Sequence, residues 1–150
     1  MHPKYPHIFS PIKLGPVELP NRFYSSPHAV PMNFLGKPTD DFIHYNVARA
    51  KGGCGLLILS MAGYGRSRSV WPNIHPKEHI PAFRALTDAV HDAGAKIFGE
   101  PWYFWGLPGQ WQPFSPPTPA LGPSVGQFAF HGKGWATREM TKDEIRRMIE

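Results

Sequence analysis

The chain has 150 residues, 41% of them hydrophobic, with 16 Lys and Arg against 11 Asp and Glu and a formal net charge of +5. That length and composition suit one folded domain with its own core and exclude a wholly disordered chain. The longest apolar run, Cys54 to Leu59, is far too short to cross a bilayer, and a single cysteine excludes an internal disulfide framework. The opening Met-His-Pro-Lys-Tyr-Pro carries no apolar secretory stretch, so the expected compartment is the cytoplasm. Basic residues are scattered, with Arg66-Ser67-Arg68 and Arg146-Arg147 the tightest groupings, so neither a nucleic-acid stripe nor a membrane patch is expected. The modest excess of positive charge better suits an anionic small molecule.

In chain order, Pro11 to Pro20 reads as two very short strands around a Gly15-Pro16 turn. Residues 22–26 form a first core strand, and His28 to Pro38 is expected to be loop. Thr39, preceded by Pro38 and followed by Asp40 and Asp41, caps a helix that runs to about Lys51 and stops at Gly52-Gly53. Phe42, Tyr45 and Arg49 lie near one face of it. Leu56-Leu57-Ile58-Leu59 is apolar at every position, as in a strand covered on both faces within a parallel sheet. A polar loop, Ser60 to Lys77, leads to a helix over Pro81–Ala93 with Phe83, Leu86, Ala89 and Val90 at helical spacing, closed by Gly94. Lys96 to Glu100 is a third strand. The order β-α-β-α-β predicts right-handed crossovers.

Proline and glycine concentrate between Pro101 and Gly134, and the stretch Pro101–Met140 reads as one long functional loop without regular structure. Thr141-Lys142-Asp143-Glu144 is a capping box that opens a final helix. That helix has barely two turns and no stop signal, and the parallel sheet it follows has an open edge. The expectation is therefore that residues 1–150 are the amino-terminal part of a larger α/β domain. Two spacings are weak. His75-x-x-x-His79 has metal-ligand separation, but Pro76 interrupts the helix and no further ligand pair is near, so no metal is expected. Gly52-Gly53-Cys54-Gly55 precedes a strand instead of following one, which is the wrong order for a phosphate loop.

Several segments, in order, resemble the Old Yellow Enzyme (NADH:flavin oxidoreductase) family. They are Phe9-Ser10-Pro11-Ile12-Lys13-Leu14-Gly15, Leu19-Pro20-Asn21-Arg22, Gly36-Lys37-Pro38-Thr39, Arg49-Ala50-Lys51-Gly52-Gly53-Cys54-Gly55-Leu56-Leu57-Ile58 and Gly94-Ala95-Lys96-Ile97. Phe23-Tyr24, Pro27-His28, and Glu100 with Trp102-Tyr103 are most similar to its trimethylamine dehydrogenase branch. The resemblance implies an α/β fold, the (β/α)8 TIM barrel. This chain would supply the floor hairpin, about three β/α units and a long lid loop.

The resemblance also implies FMN as cofactor. Ser26, Pro27, His28 and Ala29 would lie against the isoalloxazine, with His28 adding a donor. Met61 would face the flavin, and Glu100 would accept a hydrogen bond from the pyrimidine N–H. Trp102 and Tyr103 would open the substrate pocket and lid; Phe104 and Trp105 depart from the family, standing where the close relatives carry small glycines, so a bulkier pocket wall is expected. In the trimethylamine dehydrogenase branch a cysteine linked to the flavin follows Pro-His. Ala29 has no nucleophile, so the flavin here is expected to be non-covalent. On the residues alone each assignment has an alternative: a simple turn at 26–29, a core gap-filler at Met61, a salt bridge at Glu100, and a packed loop base for the aromatics. The catalytic acid or base is unknown, because no residue of this chain matches one.

The expected activity is hydride transfer between non-covalent FMN and a small amine or enone. One alternative is NAD(P)H-dependent enone or dienoyl-thioester reduction. Others are a flavin-free barrel enzyme and a non-catalytic binding module built on the aromatic, proline-rich loop. NAD(P)H is a possible donor. An iron–sulfur cluster, as several relatives carry, would lie outside these residues.

Overall fold

The computed structural model describes residues 4–28, 30–62, 71–74, 76–102, 120–130 and 133–149. They fall into two units, Met1–Trp102 and Tyr103–Glu150.

In the first unit, β1 (Ile12–Leu14) and β2 (Val17–Leu19) form an antiparallel hairpin with Leu14 opposite Val17, as the Gly-Pro turn predicts. Arg22 fastens the preceding arm: its guanidinium donates to the carbonyls of His7 and Ser10, both at 2.7 Å, and to the Ser10 hydroxyl. A parallel sheet follows in the order β3 (Tyr24–Ser25), β6 (Leu56–Ala62), β7 (Lys96–Trp102). Both outer strands pair with the apolar strand, so β6 is central, as its lack of a polar face requires. Asn21 closes the entry to β3 by donating to the Gly53 carbonyl at 2.9 Å and accepting from the Phe23 N–H at 2.9 Å. A Cβ on Gly55 would sit 2.7 Å from the Asn21 Oδ1, so only glycine fits there.

Helix α1 (Asp40–Lys51) begins at Thr39, whose side chain accepts from the Phe42 N–H, with Asp40 and Asp41 in the first turn. Helix α2 is Ile80–Asp92. The core lies between these helices and one face of the sheet: Phe42 and Ala50 of α1 and Leu86 and Val90 of α2 pack with Leu57 and Leu59 of β6 and Ala95. By strand alternation the opposite face carries Tyr24, Ile58, Ser60, Phe98 and Glu100. No described helix of this unit supplies its core to that face.

Three expectations are corrected in detail. The segment 28–38 contains a small hairpin, β4 (Asn33–Phe34) and β5 (Lys37–Pro38), turned through Leu35 (φ 52°) and Gly36 (φ 81°). Strands of two residues carry no periodicity to read, and the paired positive φ values are those of a tight hairpin turn. β6 and β7 each run two or three residues beyond their apolar cores, to Ala62 and Trp102. Pro101 is tolerated because a strand end needs no N–H on its open side.

In the second unit, the stretch expected to lack regular structure contains a three-stranded sheet in the order β8 (Ala120–Gly122), β10 (Lys133–Glu139), β9 (Gly126–Phe130). β9 and β10 pair antiparallel and β8 joins β10 in parallel. Gly126 to Phe130 alternates small or polar with aromatic residues, a strand signal masked by the surrounding proline and glycine. Helix α3 (Lys142–Ile149) opens with the expected capping box: the Glu144 N–H donates to Thr141 Oγ1 at 3.2 Å, and the Thr141 N–H donates to Glu144 Oε2 at 2.8 Å.

Arg138 adds a two-pronged contact to Glu144, at 3.0 and 2.5 Å. That hydrogen bond, helped by the Thr141 N–H, pushes the Glu144 carboxyl down to about 2 from an ordinary 4.5. A lowered folded-state pKa stabilises at pH above the unfolded value, so the clamp is complete above about 4.5 and is lost as pH falls through about 2. The expected midpoint for Glu144 in the intact protein, followed by carboxyl NMR, is about 2, and Arg138→Gln should return it toward 4.5. A wild-type midpoint already at the ordinary value would contradict the clamp.

Candidate functional site at the carboxyl ends of β3, β6 and β7

All three parallel strands point their carboxyl ends the same way, and ligands of parallel α/β proteins gather at those ends. Ser26, Pro27 and His28 follow β3 directly; Ser26 and His28 are exposed and Pro27 is half-buried. Ala29 lies outside the described residues, as does Tyr103. Ser60 of β6 stands opposite Glu100 of β7, and Ala62 opposite Trp102. Pairing in a parallel sheet puts each such couple on one face, so Ser60 and Glu100 sit together on the face away from the helices. Glu100 is exposed and makes no ion pair with a described residue. Trp102 is half-buried.

Met61 behaves differently. It has the strand phase of Leu57 and Leu59 and packs against their helix-facing cluster. Its methyl group occupies the space where a Cβ on Gly99 would stand, only 2.0 Å from that position. Its side chain is thus placed with the core and not on the face shared by Ser60 and Glu100.

His28 is held by both ring nitrogens. Nδ1 lies 3.3 Å from the Ser26 carbonyl and Nε2 lies 2.5 Å from the Tyr45 hydroxyl. Tyr45 stacks on Phe42, with the rings 10° apart, and the Arg49 guanidinium covers it at 3.4 Å from the ring centroid. Together with Ser25, Val30, Asn46 and Ser60, His28 and Tyr45 line a shallow cleft between the ends of β3 and β6 and helix α1. Sequence reasoning places Tyr45 on the right helix face with Phe42 and Arg49 but gives no sign that it reaches His28.

A strap steadies the end of β6. The Ala62 N–H donates to the Pro72 carbonyl at 2.7 Å, and the Ile74 N–H to the Ala62 carbonyl at 3.2 Å. The Asn73 N–H donates to the Gly36 carbonyl at 2.8 Å, and His79 Nδ1 donates to the Asn73 carbonyl at 2.9 Å. Asn73 thereby ties the strap to the β4–β5 hairpin, and the buried His79 ties the start of α2 to the strap. His75 lies outside the described residues, and no group of three or more potential metal ligands occurs among the described ones.

Chemically, the strand ends offer a carboxylate acceptor and a hydroxyl on adjacent strands of one face. No described helix is long and apolar enough to cross a membrane.

A half-wound parallel α/β sheet with polar residues at its carboxyl ends defines a class of ligand-binding fold. Comparison with known proteins specifies it further. The model of the NADH:flavin oxidoreductase / NADH oxidase family matches residues 7–150, and the chain belongs to that family of flavin oxidoreductases. It is 34% identical over 149 residues to the N,N-dimethylglycine/sarcosine dehydrogenase of Chromohalobacter salexigens, covering 95% of this chain and 21% of that protein. It is 39% identical over 95 residues to the NADPH dehydrogenase of Listeria welshimeri, covering 59% of this chain and 28% of that one. Among solved structures, an Old Yellow Enzyme homologue from Zymomonas mobilis superposes with a TM-score of 0.70 at 24% identity, over 96% of this chain and 42% of that chain. Histamine dehydrogenase from Rhizobium sp. 4-9 does so with a TM-score of 0.76 at 22% identity, over 97% and 21%. These structural likenesses establish the partial α/β fold. The chain spans about a fifth of the length of the Chromohalobacter relative.

Proposed function

We propose that residues 1–150 form the amino-terminal part of a single FMN-binding (β/α)8 barrel, in an enzyme that moves hydride between non-covalent FMN and a small molecule. The observation that carries this reading is the pairing of Ser60 with Glu100 on the helix-free face, at the strand ends beside the 26–28 turn. Glu100 is the acceptor an imide N–H requires, and Ser60 is a hydroxyl within the same polar patch. FMN, when bound, supplies the two-electron chemistry; the protein binds it, orients it and tunes its surroundings. Ser26, Pro27 and His28 would border the ring system, and Ala29, without a nucleophile, leaves it unlinked. Trp102 and Tyr103 would begin the substrate wall. Met61, packed toward the helices, would support the site from behind Gly99. An iron–sulfur cluster needs several thiolates, and Cys54 is the chain's single cysteine, so any cluster would be held by other sequence.

Similarity along 95% of the chain to a protein named for dimethylglycine and sarcosine favours a secondary or tertiary amine as the hydride source. The second reading, NAD(P)H-dependent reduction of an enone or thioester, draws on the relatives named NADPH dehydrogenase and cinnamate reductase. Anaerobic titration of the intact protein separates them. Bleaching of the flavin by N,N-dimethylglycine or sarcosine supports the amine reading. Bleaching by NADH or NADPH, with recovery on adding an α,β-unsaturated carbonyl compound, supports the second. A flavin that responds to none of these contradicts both. The expected setting is cytoplasmic with a small-molecule partner.

A further inference from the structure

We propose that Tyr45, on α1, is a positioning residue for the cofactor-bordering turn: its hydroxyl fixes the tautomer of His28 and thereby pins residues 26–28 in place. The proposal rests on the placement of FMN at the strand ends given above.

The hydrogen-bond directions follow from the partners. A peptide carbonyl only accepts, so at 3.3 Å His28 Nδ1 must carry the proton and donate to the Ser26 carbonyl. In the neutral imidazole Nε2 then carries a lone pair, and at 2.5 Å the Tyr45 O–H donates to it. His28 is exposed, so packing alone does not hold its ring. Tyr45 is held on three sides. It stacks on Phe42, which is buried in the core; the Arg49 guanidinium lies over its ring at 3.4 Å from the centroid; and α1 carries it on a backbone anchored to β6 through that core. The rigid member of the pair is therefore the tyrosine, and order passes from the helix to the turn.

This has a chemical consequence. With both nitrogens engaged inside the protein, His28 has no free N–H to give a cofactor. Its contribution is the ring surface and the fixed backbone of residues 26–28, in place of the donor that the family resemblance implies. The Ser26 carbonyl is likewise occupied, leaving the Ser26 hydroxyl as the polar side-chain group of the turn.

The test uses the intact protein with FMN, labelled with ¹⁵N-histidine. Wild type is expected to show His28 as the Nδ1–H tautomer, with resonances that move on FMN binding. Tyr45→Phe keeps the ring, the Phe42 stack and the Arg49 contact while deleting one hydroxyl. It should convert His28 to a mixture of tautomers and raise the FMN dissociation constant by about three- to ten-fold, the loss of one hydrogen bond. In a His28→Gln background the same substitution should add no further loss, because Tyr45 acts through His28. Tyr45→Phe that leaves tautomer and affinity unchanged overturns the proposal. So does an affinity loss of equal size with and without His28, which would make Tyr45 a packing residue only. Wild-type resonances that ignore FMN, with the Tyr45-dependent tautomer intact, overturn the cofactor placement and leave the hydrogen-bond assignment standing.

Discussion

Leu57→Ala is expected to lower the stability of the intact protein by about 2–5 kcal/mol, the range for deleting a buried leucine side chain with incomplete collapse of the cavity. Leu57 is 1% exposed and packs between the two helices on the central strand, so its neighbours Phe42, Leu86 and Val90 have little freedom to refill the space. Leu86→Ala, at a fully buried position on α2, should cost a similar amount. Denaturant melts of both variants check this, and a loss below about 1 kcal/mol in either would contradict the packing of the two helices on β6.

Glu100→Gln is expected to keep an acceptor for the imide N–H while removing a negative charge beside the pyrimidine edge. A carboxylate there opposes the negative charge that reduction places on that edge, so Gln should make the flavin easier to reduce. Removing one charge a few ångströms away, in surroundings partly open to water, is worth roughly 1–3 kcal/mol, or about 20–60 mV upward for a two-electron couple. Glu100→Ala deletes the acceptor too and should also weaken FMN binding, by about 1.5–3 kcal/mol for a hydrogen bond to a charged group. Spectroelectrochemical titration of the intact variants measures both quantities. Potential and affinity unchanged in Glu100→Gln and Glu100→Ala alike would remove Glu100 from the site.

Much of the first unit is legible because its signals are local. Thr39 with Asp40 and Asp41 marks a helix start by capping chemistry alone, and four consecutive apolar residues at Leu56–Leu59 mark a strand covered on both sides. The hairpin at 33–38 is not legible, since its two-residue strands are made by a turn and not by a pattern. The sheet of the second unit is hidden by the proline and glycine around it. The candidate site divides along the same line. Glu100 is proposed from strand position and family resemblance. Its partnership with Ser60 is a matter of register between β6 and β7, which one strand's sequence does not carry. Met61, which the resemblance turns toward the flavin, has by alternation the phase of Leu57 and Leu59, because β6 is regular through Ala62. Tyr45 meets His28 across seventeen residues of sequence, a contact that only the fold creates.

The most direct test of the whole account is the visible absorption spectrum of the intact protein before and after acid precipitation. A yellow protein whose colour passes entirely to the supernatant as FMN is expected, because the proposed site binds a flavin and Ala29 has no nucleophile to bond to it. A colourless protein from riboflavin-replete cells would contradict the cofactor placement, and colour retained in the pellet would contradict the non-covalent assignment.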